Sequence, residues 1–238
     1  MAASLNRAAF YAAVRTSLFG GRLKASQVAG MDAILDAAPS LLGTTSLGYA
    51  LATTFHETAR TMQPIEEYGR GKGKSYGPTG FWGRGFVQLT WETNYAKATT
   101  RLRQLGLLRA GEDLVKTPKL AMRLDLAAPI LFVGMAEGWF TGKKLADYFG
   151  GGRYDPVGAR RIINGTDKDD LIAGQCGKFV DALRGAGHSV IPAAPPSPAP
   201  QPAPAGGLVR SGVQATGGVV RSGLAGLYDL IHTSFRKG

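Results

Sequence analysis

Two carboxylates, Glu57 and Glu67, stand in the segment FHETARTMQPIEEYG, and a glycine-broken aromatic segment, FWGRGFVQLTWETNY from Phe81 to Tyr95, follows closely. One acid leaving a helix, with a second on the next loop facing aromatic and amide side chains, is the arrangement that cleavage of a glycosidic bond needs. A protonated carboxylic acid donates to the leaving oxygen, an ionised carboxylate activates water or attacks carbon, and different surroundings must keep the two proton affinities apart. From Ser46 to Ala59, the residues Leu47, Ala50, Leu51, Thr54, Phe55 and Thr58 recur at helical spacing, which predicts a helix with one stripe facing inward. Glu57 therefore leaves this helix near the core. Pro64 disfavours further helix and pushes Gln63 toward an extended conformation, so Pro64 to Gly69 reads as a turn that returns Glu67 toward Glu57. A buried Glu57 suits the acid and a wetter Glu67 suits the base.

Taken alone, a His-Glu pair at a helix end is usually a solvated or capping group. The second segment gives it weight. There Arg84, Gln88, Thr90, Asn94 and Tyr95 supply polar groups among Phe81, Trp82, Phe86 and Trp91. Gly83 and Gly85 permit close backbone approach or a bulge within a short strand. Such a surface suits a sugar.

Four ordered motifs carry a family likeness: His56-Glu57-Thr58, Glu67-Tyr68-Gly69, Gly83 to Thr90 (GRGFVQLT) with Asn94-Tyr95, and Ile162-Ile163-Asn164-Gly165. Together they resemble the family 19 glycoside hydrolases, the chitinases and related phage endolysins that share a lysozyme-like fold. The opening segment AAFYAAVRTSLFGGRLKASQVAGMDAILD is similar to the leader helices of phage members, so the resemblance spans residues 5–187. It implies an α+β, predominantly helical fold, lysozyme-like, with a small β-sheet beside the cleft. It also implies Glu57 as general acid, Glu67 as general base and Thr90 as a holder of the attacking water. His56, Tyr68, Arg84, Gln88, Asn94, Tyr95 and Asn164 are then expected to bind substrate. Glu66 is a rival for the base, and the EYG context favours Glu67. Enzymes of this type invert, with acids about 6.5 to 9.5 Å apart and no covalent intermediate. The chain departs from the family at Gln175, where relatives often carry an arginine; Arg160, Arg161 and Lys178 are the candidate replacements.

Other readings of these residues fail on spacing. The run GRGKGKS has Tyr68 where a phosphate-binding loop needs its first glycine, so it reads as a mobile lip of the cleft. His56-Glu57 does not open a zinc-protease helix, because Arg60 occupies the place of the second histidine. With His56, His188 and His232 as the histidines and Cys176 as the one cysteine, no metal and no cofactor are expected. Cys176 excludes an internal disulfide, and Phe179, Val180 and Leu183 place it on a helix as a buried, inert thiol.

At 238 residues and 44% apolar content, the chain can bury one good core. The expected division is a catalytic domain over residues 1–191, a Pro/Ala-rich linker over 192–205 and a basic, weakly amphipathic tail over 206–238. In that tail, LVRSGV from Leu208 and VVRSGL from Val219 repeat at a spacing that keeps Arg210 and Arg221 on one side of a helix. The tail is read as either touching a membrane or outer-envelope surface, or as a disordered or partner-docking segment. The net charge of +11 favours approach to an anionic envelope and equally permits weak, unspecific nucleic-acid contact. The N-terminus lacks a secretory apolar region and no stretch is long enough to span a membrane, so synthesis is expected to end in the cytoplasm. A monomer is expected to act on peptidoglycan glycan strands in the periplasm, after a separate pore-forming holin releases it. Chitin is the rival substrate, and a wall-binding module without catalysis is the third reading.

The elements meant to position these residues are leading helices over 6–18 and 24–38, the Glu57 helix, loop and short strand over 69–85, and a helix over 94–107. A central core helix over 120–140 follows, with Trp139 edging the cleft, then a flexible break at Gly150-Gly151-Gly152 before the Asn-Gly motif.

Overall fold

The computed structural model describes residues 5–189. The linker and tail expected over 192–238 lie outside the described residues. Six helices form the body: α1 (Arg7–Ser17), α2 (Ala25–Ala37), α3 (Thr44–Glu57), α4 (Glu92–Gln104), α5 (Leu124–Glu137) and α6 (Asp169–Gly185). Two antiparallel two-stranded sheets complete it, β1 (Ile65–Glu66) with β2 (Arg84–Gly85), and β3 (Phe149–Gly150) with β4 (Arg153–Tyr154). The fold is α+β and predominantly helical.

One hydrophobic core joins the helices. α3 runs through its middle: every residue from Ser46 to Phe55 is buried, so the expected single inward stripe is in fact a helix covered all round. Its tightest neighbour is α6. A side chain at Gly48 would bring a Cβ within 2.5 Å of Val180 Cγ2, so glycine sets the approach of the two helices. The apolar run on α5 is likewise buried from Leu126 to Ala136, as its composition requires. The helix expected over 120–140 is divided, with a 3₁₀ turn at Pro118–Met122 ahead of α5.

The ends of the described chain are tied together. Asn6 caps α1 by accepting from the Ala9 amide at 3.0 Å, and its own N–H donates to the Ala186 carbonyl at 2.9 Å. The triple glycine expected to be a flexible break is a hairpin turn. Gly151 and Gly152 take φ of 58° and 81°, the positive values that a two-residue turn needs to match strand twist. Cys176 is fully buried on α6, and burial pushes its thiol up to about 12. No helix among the described residues is long and apolar enough to cross a membrane.

Candidate active site

Glu57 is the last residue of α3, and the chain reverses immediately after it. The reversal falls earlier than Pro64 suggests. Thr58 Oγ1 donates to the Thr54 carbonyl at 2.7 Å and accepts from the Met62 amide at 3.1 Å, clamping the turn. Ala59, Arg60 and Met62 all take left-handed φ (49°, 65° and 53°), an unusual concentration for side-chain-bearing residues. Gln27 of α2 donates to the Arg60 carbonyl at 2.9 Å. Gly30 packs so closely that a Cβ there would lie 1.6 Å from the Met62 carbonyl oxygen. Pro64 then leads into β1.

In β1, Ile65 and Glu66 pair with Gly85 and Arg84 of β2. Successive side chains of a strand point to opposite faces, which separates the two neighbouring glutamates. Glu66 faces cations: its Oε1 accepts from Trp82 Nε1 at 2.9 Å and Arg84 Nε at 3.0 Å, and Oε2 lies 3.3 Å from Arg70 Nε. The Trp82 bond, with Arg84 and Arg70 behind it, holds this carboxyl below the usual glutamate range. Glu67 faces neutral donors instead. Tyr76 Oη donates to its Oε1 at 2.9 Å and the Gly83 amide to its Oε2 at 3.0 Å, while the Glu67 amide donates back to the Gly83 carbonyl at 2.8 Å.

A cleft of about 270 Å³ is lined by Glu57, Tyr76, Val87, Gln88, Thr90, Trp91, Asn94, Phe140, Ile163 and Asn164. Thus Glu57, Gln88, Thr90, Asn94 and Asn164 meet around one space, and Glu67 joins it through Tyr76. The strap from Gln88 to Trp91 forms one wall. Gln88 (φ 54°) and Trp91 (φ 74°) are both left-handed, Thr90 Oγ1 donates to the Gln88 carbonyl at 2.7 Å, and Asn94 Nδ2 donates to the Thr90 carbonyl at 3.0 Å. Gln88 Nε2 reaches back to the Ile65 carbonyl at 3.1 Å, locking the strap to β1. Gly83 admits the Gln88 side chain, and Gly85 combines a φ of 87° with an approach to the Ala121 carbonyl that leaves no space for a Cβ. Gly85 is therefore required by its backbone, whereas a side chain at Gly83 would displace Gln88. Trp91, 45% exposed, also lines the cleft.

Beside Glu57 lies Arg160, one of the basic residues near the Asn-Gly motif. It is buried, donates from Nη1 to Glu57 Oε1 at 2.7 Å, and is fixed by its Nε on the Asp167 carbonyl at 2.9 Å. Glu57 Oε2 takes no hydrogen bond from the described residues. The burial contrast expected between the two acids is not drawn by exposure, since both are partly covered. What separates them is their partners: a guanidinium for Glu57, a phenol and an amide for Glu67.

Four expected substrate contacts lie elsewhere. Arg84 and Tyr95 are buried behind the wall, where Arg84 Nη1 donates to Tyr95 Oη at 3.0 Å and the guanidinium lies over the Trp82 ring at 4.5 Å. Their ionic and aromatic pairing explains the polar residues in that segment without a sugar. Burial pushes the Tyr95 phenol up to about 12. His56 is half-buried beside Glu57 but does not line the cleft, and burial lowers its proton affinity. Tyr68 stands 88% exposed at the start of the basic glycine loop. Trp139 is buried with its Nε1 on Glu137 at 2.9 Å, and its neighbour Phe140 lines the cleft in its place. Tyr76 and Phe140 carry no periodicity or motif that marks them in the sequence.

A second cavity of about 280 Å³ lies at the other end of α3, between Leu41, Leu42, Phe132, Leu145 and Phe149, and no titratable side chain lines it. Among the described residues, no group of three or more His, Cys, Asp or Glu is gathered to hold a metal ion. No protein-family model, curated protein or solved structure matches this chain.

Proposed function

We propose that the protein is a peptidoglycan glycoside hydrolase of the endolysin type, cutting β-1,4 bonds between amino sugars by an inverting acid/base mechanism on a lysozyme-like fold. The observation that carries this reading is the convergence of Glu57, Gln88, Thr90, Asn94 and Asn164, from three separate sequence motifs, on one cleft beside Glu67.

In the proposed reaction, Arg160 holds Glu57 Oε1, so the proton to be delivered sits on Oε2 and passes to the glycosidic oxygen as the bond breaks. A water on the other face of the ring attacks the anomeric carbon and gives its proton to Glu67. Thr90, whose hydroxyl hydrogen is committed to the Gln88 carbonyl, keeps lone pairs to accept from that water. Glu67 is preferred to Glu66 as the base because Glu66 is engaged by Arg84, Arg70 and Trp82 on the far side of β1. Asn94, Asn164 and Trp91, which line the cleft, are the groups proposed to hold sugar hydroxyls, amides and rings.

Synthesis in a host cytoplasm and holin-dependent release to the periplasmic wall belong to the same proposal. The test is loss of turbidity of outer-membrane-permeabilised Gram-negative cells, with colloidal chitin in parallel and Glu57→Gln and Glu67→Gln as controls. Clearing by the wild type and neither variant is expected. Chitin release without clearing favours the chitinase reading, and inactivity on both leaves a binding module.

A further inference from the structure

We propose that Tyr76 is the positioning residue of the base: its hydroxyl, delivered by the basic glycine loop, fixes the Glu67 carboxylate in the orientation in which it accepts a proton from water. The inference rests on the assignment of Glu67 above.

Two donors from two different segments hold the two oxygens of Glu67, Tyr76 Oη on Oε1 at 2.9 Å and the Gly83 amide on Oε2 at 3.0 Å. A carboxylate held at both oxygens has its plane set as well as its position. Tyr76 is in turn held on two sides. Its ring meets Trp91 edge to face, with centroids 5.3 Å apart and planes at 76°. The Gly71 backbone packs so closely that a Cβ there would fall 2.8 Å from ring carbon Cε2. Between Glu67 and Tyr76 the chain winds through consecutive backbone bonds, Arg70 to Glu67, Lys72 to Gly69, Lys74 to Gly71 and Gly77 to Lys74. The loop expected to be a mobile lip is thus a wound strap that starts at the base and returns to clasp it.

Burial and the Glu67 carboxylate raise the Tyr76 phenol above its ordinary value, so it remains a donor through the neutral range. Tyr76 also lines the cleft with Trp91, so a sugar on that face presses on the ring that orients the base. Small misplacement of a reacting group lowers rates by as much as about 100-fold.

The test compares Tyr76→Phe and Tyr76→Ala with the wild type on soluble glycan fragments from peptidoglycan. Tyr76→Phe keeps the ring and loses the hydroxyl. Its kcat is expected to fall by about tenfold or more with KM within about twofold, because only the base is disturbed. Tyr76→Ala also frees Trp91 and is expected to raise KM. In protein labelled with ¹³C at the tyrosine ζ carbon, the Tyr76 signal is assigned by its loss in Tyr76→Phe, and its titration is expected to move to lower pH in Glu67→Gln. An unchanged kcat in Tyr76→Phe, or a Tyr76 titration that ignores Glu67→Gln, overturns the proposal. If Glu67→Gln keeps full activity while the titration still moves, the contact stands but the assignment of the base, and the positioning role with it, is lost.

Discussion

The two carboxylates of the proposed site are held by different physics. Glu57 is positioned by the core: it ends a helix buried over ten consecutive residues, Ser46 to Phe55, and a buried arginine from another segment holds one of its oxygens. Glu67 is positioned by local hydrogen bonds: it follows a two-residue strand and is held by a loop tyrosine and the Gly83 amide just ahead of β2. A helix end set by packing resists perturbation until the packing itself fails. A loop carboxylate responds to each bond that holds it, and the left-handed backbone around it at Arg60, Met62, Gln88 and Trp91 has to be maintained by neighbours.

The largest effect expected is from removing either acid. Glu57→Gln and Glu67→Gln should each lower hydrolysis of purified peptidoglycan by about 100-fold to 10,000-fold, the range for loss of general acid or base catalysis, with unchanged circular dichroism. The pair is sharpened by substrates with an activated aryl leaving group, which need no acid. Glu57→Gln should recover on them and Glu67→Gln should not; the opposite pattern would exchange the roles.

Next comes Arg160→Met, which disturbs the Glu57 side of the comparison alone. It leaves the partly covered Glu57 without its cationic partner, and losing a hydrogen bond to a charged group destabilises by about 1.5 to 3 kcal/mol. Chemical denaturation should show that loss together with reduced turnover, whereas Arg161→Met on the exposed neighbour should show neither. Gly30→Ala attacks the turn that joins Glu57 to β1 and Glu67. Its Cβ has no space against Met62, so a loss of about 1 to 3 kcal/mol in unfolding free energy is expected, with activity reduced because the turn carrying Glu67 must move.

A smaller effect separates the two neighbouring glutamates by pH. The folded state holds Glu66 below its ordinary range, so its contribution to stability is present above that range and is lost as pH falls through the folded value. Thermal unfolding between pH 3 and 6 should therefore flatten in Glu66→Gln, while hydrolysis at neutral pH persists. Loss of hydrolysis in that variant at neutral pH, with its fold intact, would move the base to Glu66.

Much of this plan was legible in the sequence because it depends on local rules. The helical spacing from Leu47 to Thr58 located the Glu57 helix, although its N-terminus lies at Thr44 and its burial is complete rather than one-sided. Gly83 and Gly85 announced a close backbone approach; Gly85 has one against the Ala121 carbonyl, and Gly83 meets the Gln88 side chain instead. Long-range pairing was not legible. Arg84 and Tyr95 look like cleft residues in the string and become a buried aromatic and ionic prop only once β2 packs against α4. Tyr76 and Phe140 reach the cleft by loop winding and helix termination, which carry no sequence period. The turn after Glu57 was expected at Pro64 but forms at Thr58–Met62, because α2 supplies Gln27 and Gly30 to support left-handed residues that the local sequence does not favour.

The most direct test of the central claim is proton NMR of the sugar freshly released from purified peptidoglycan by the wild type, Glu57→Gln and Glu67→Gln proteins. Two acids acting across one cleft with water between them predict release by the wild type alone, with the new reducing end appearing first as the α-anomer. A β-anomer formed first, or undiminished release by either variant, would contradict it.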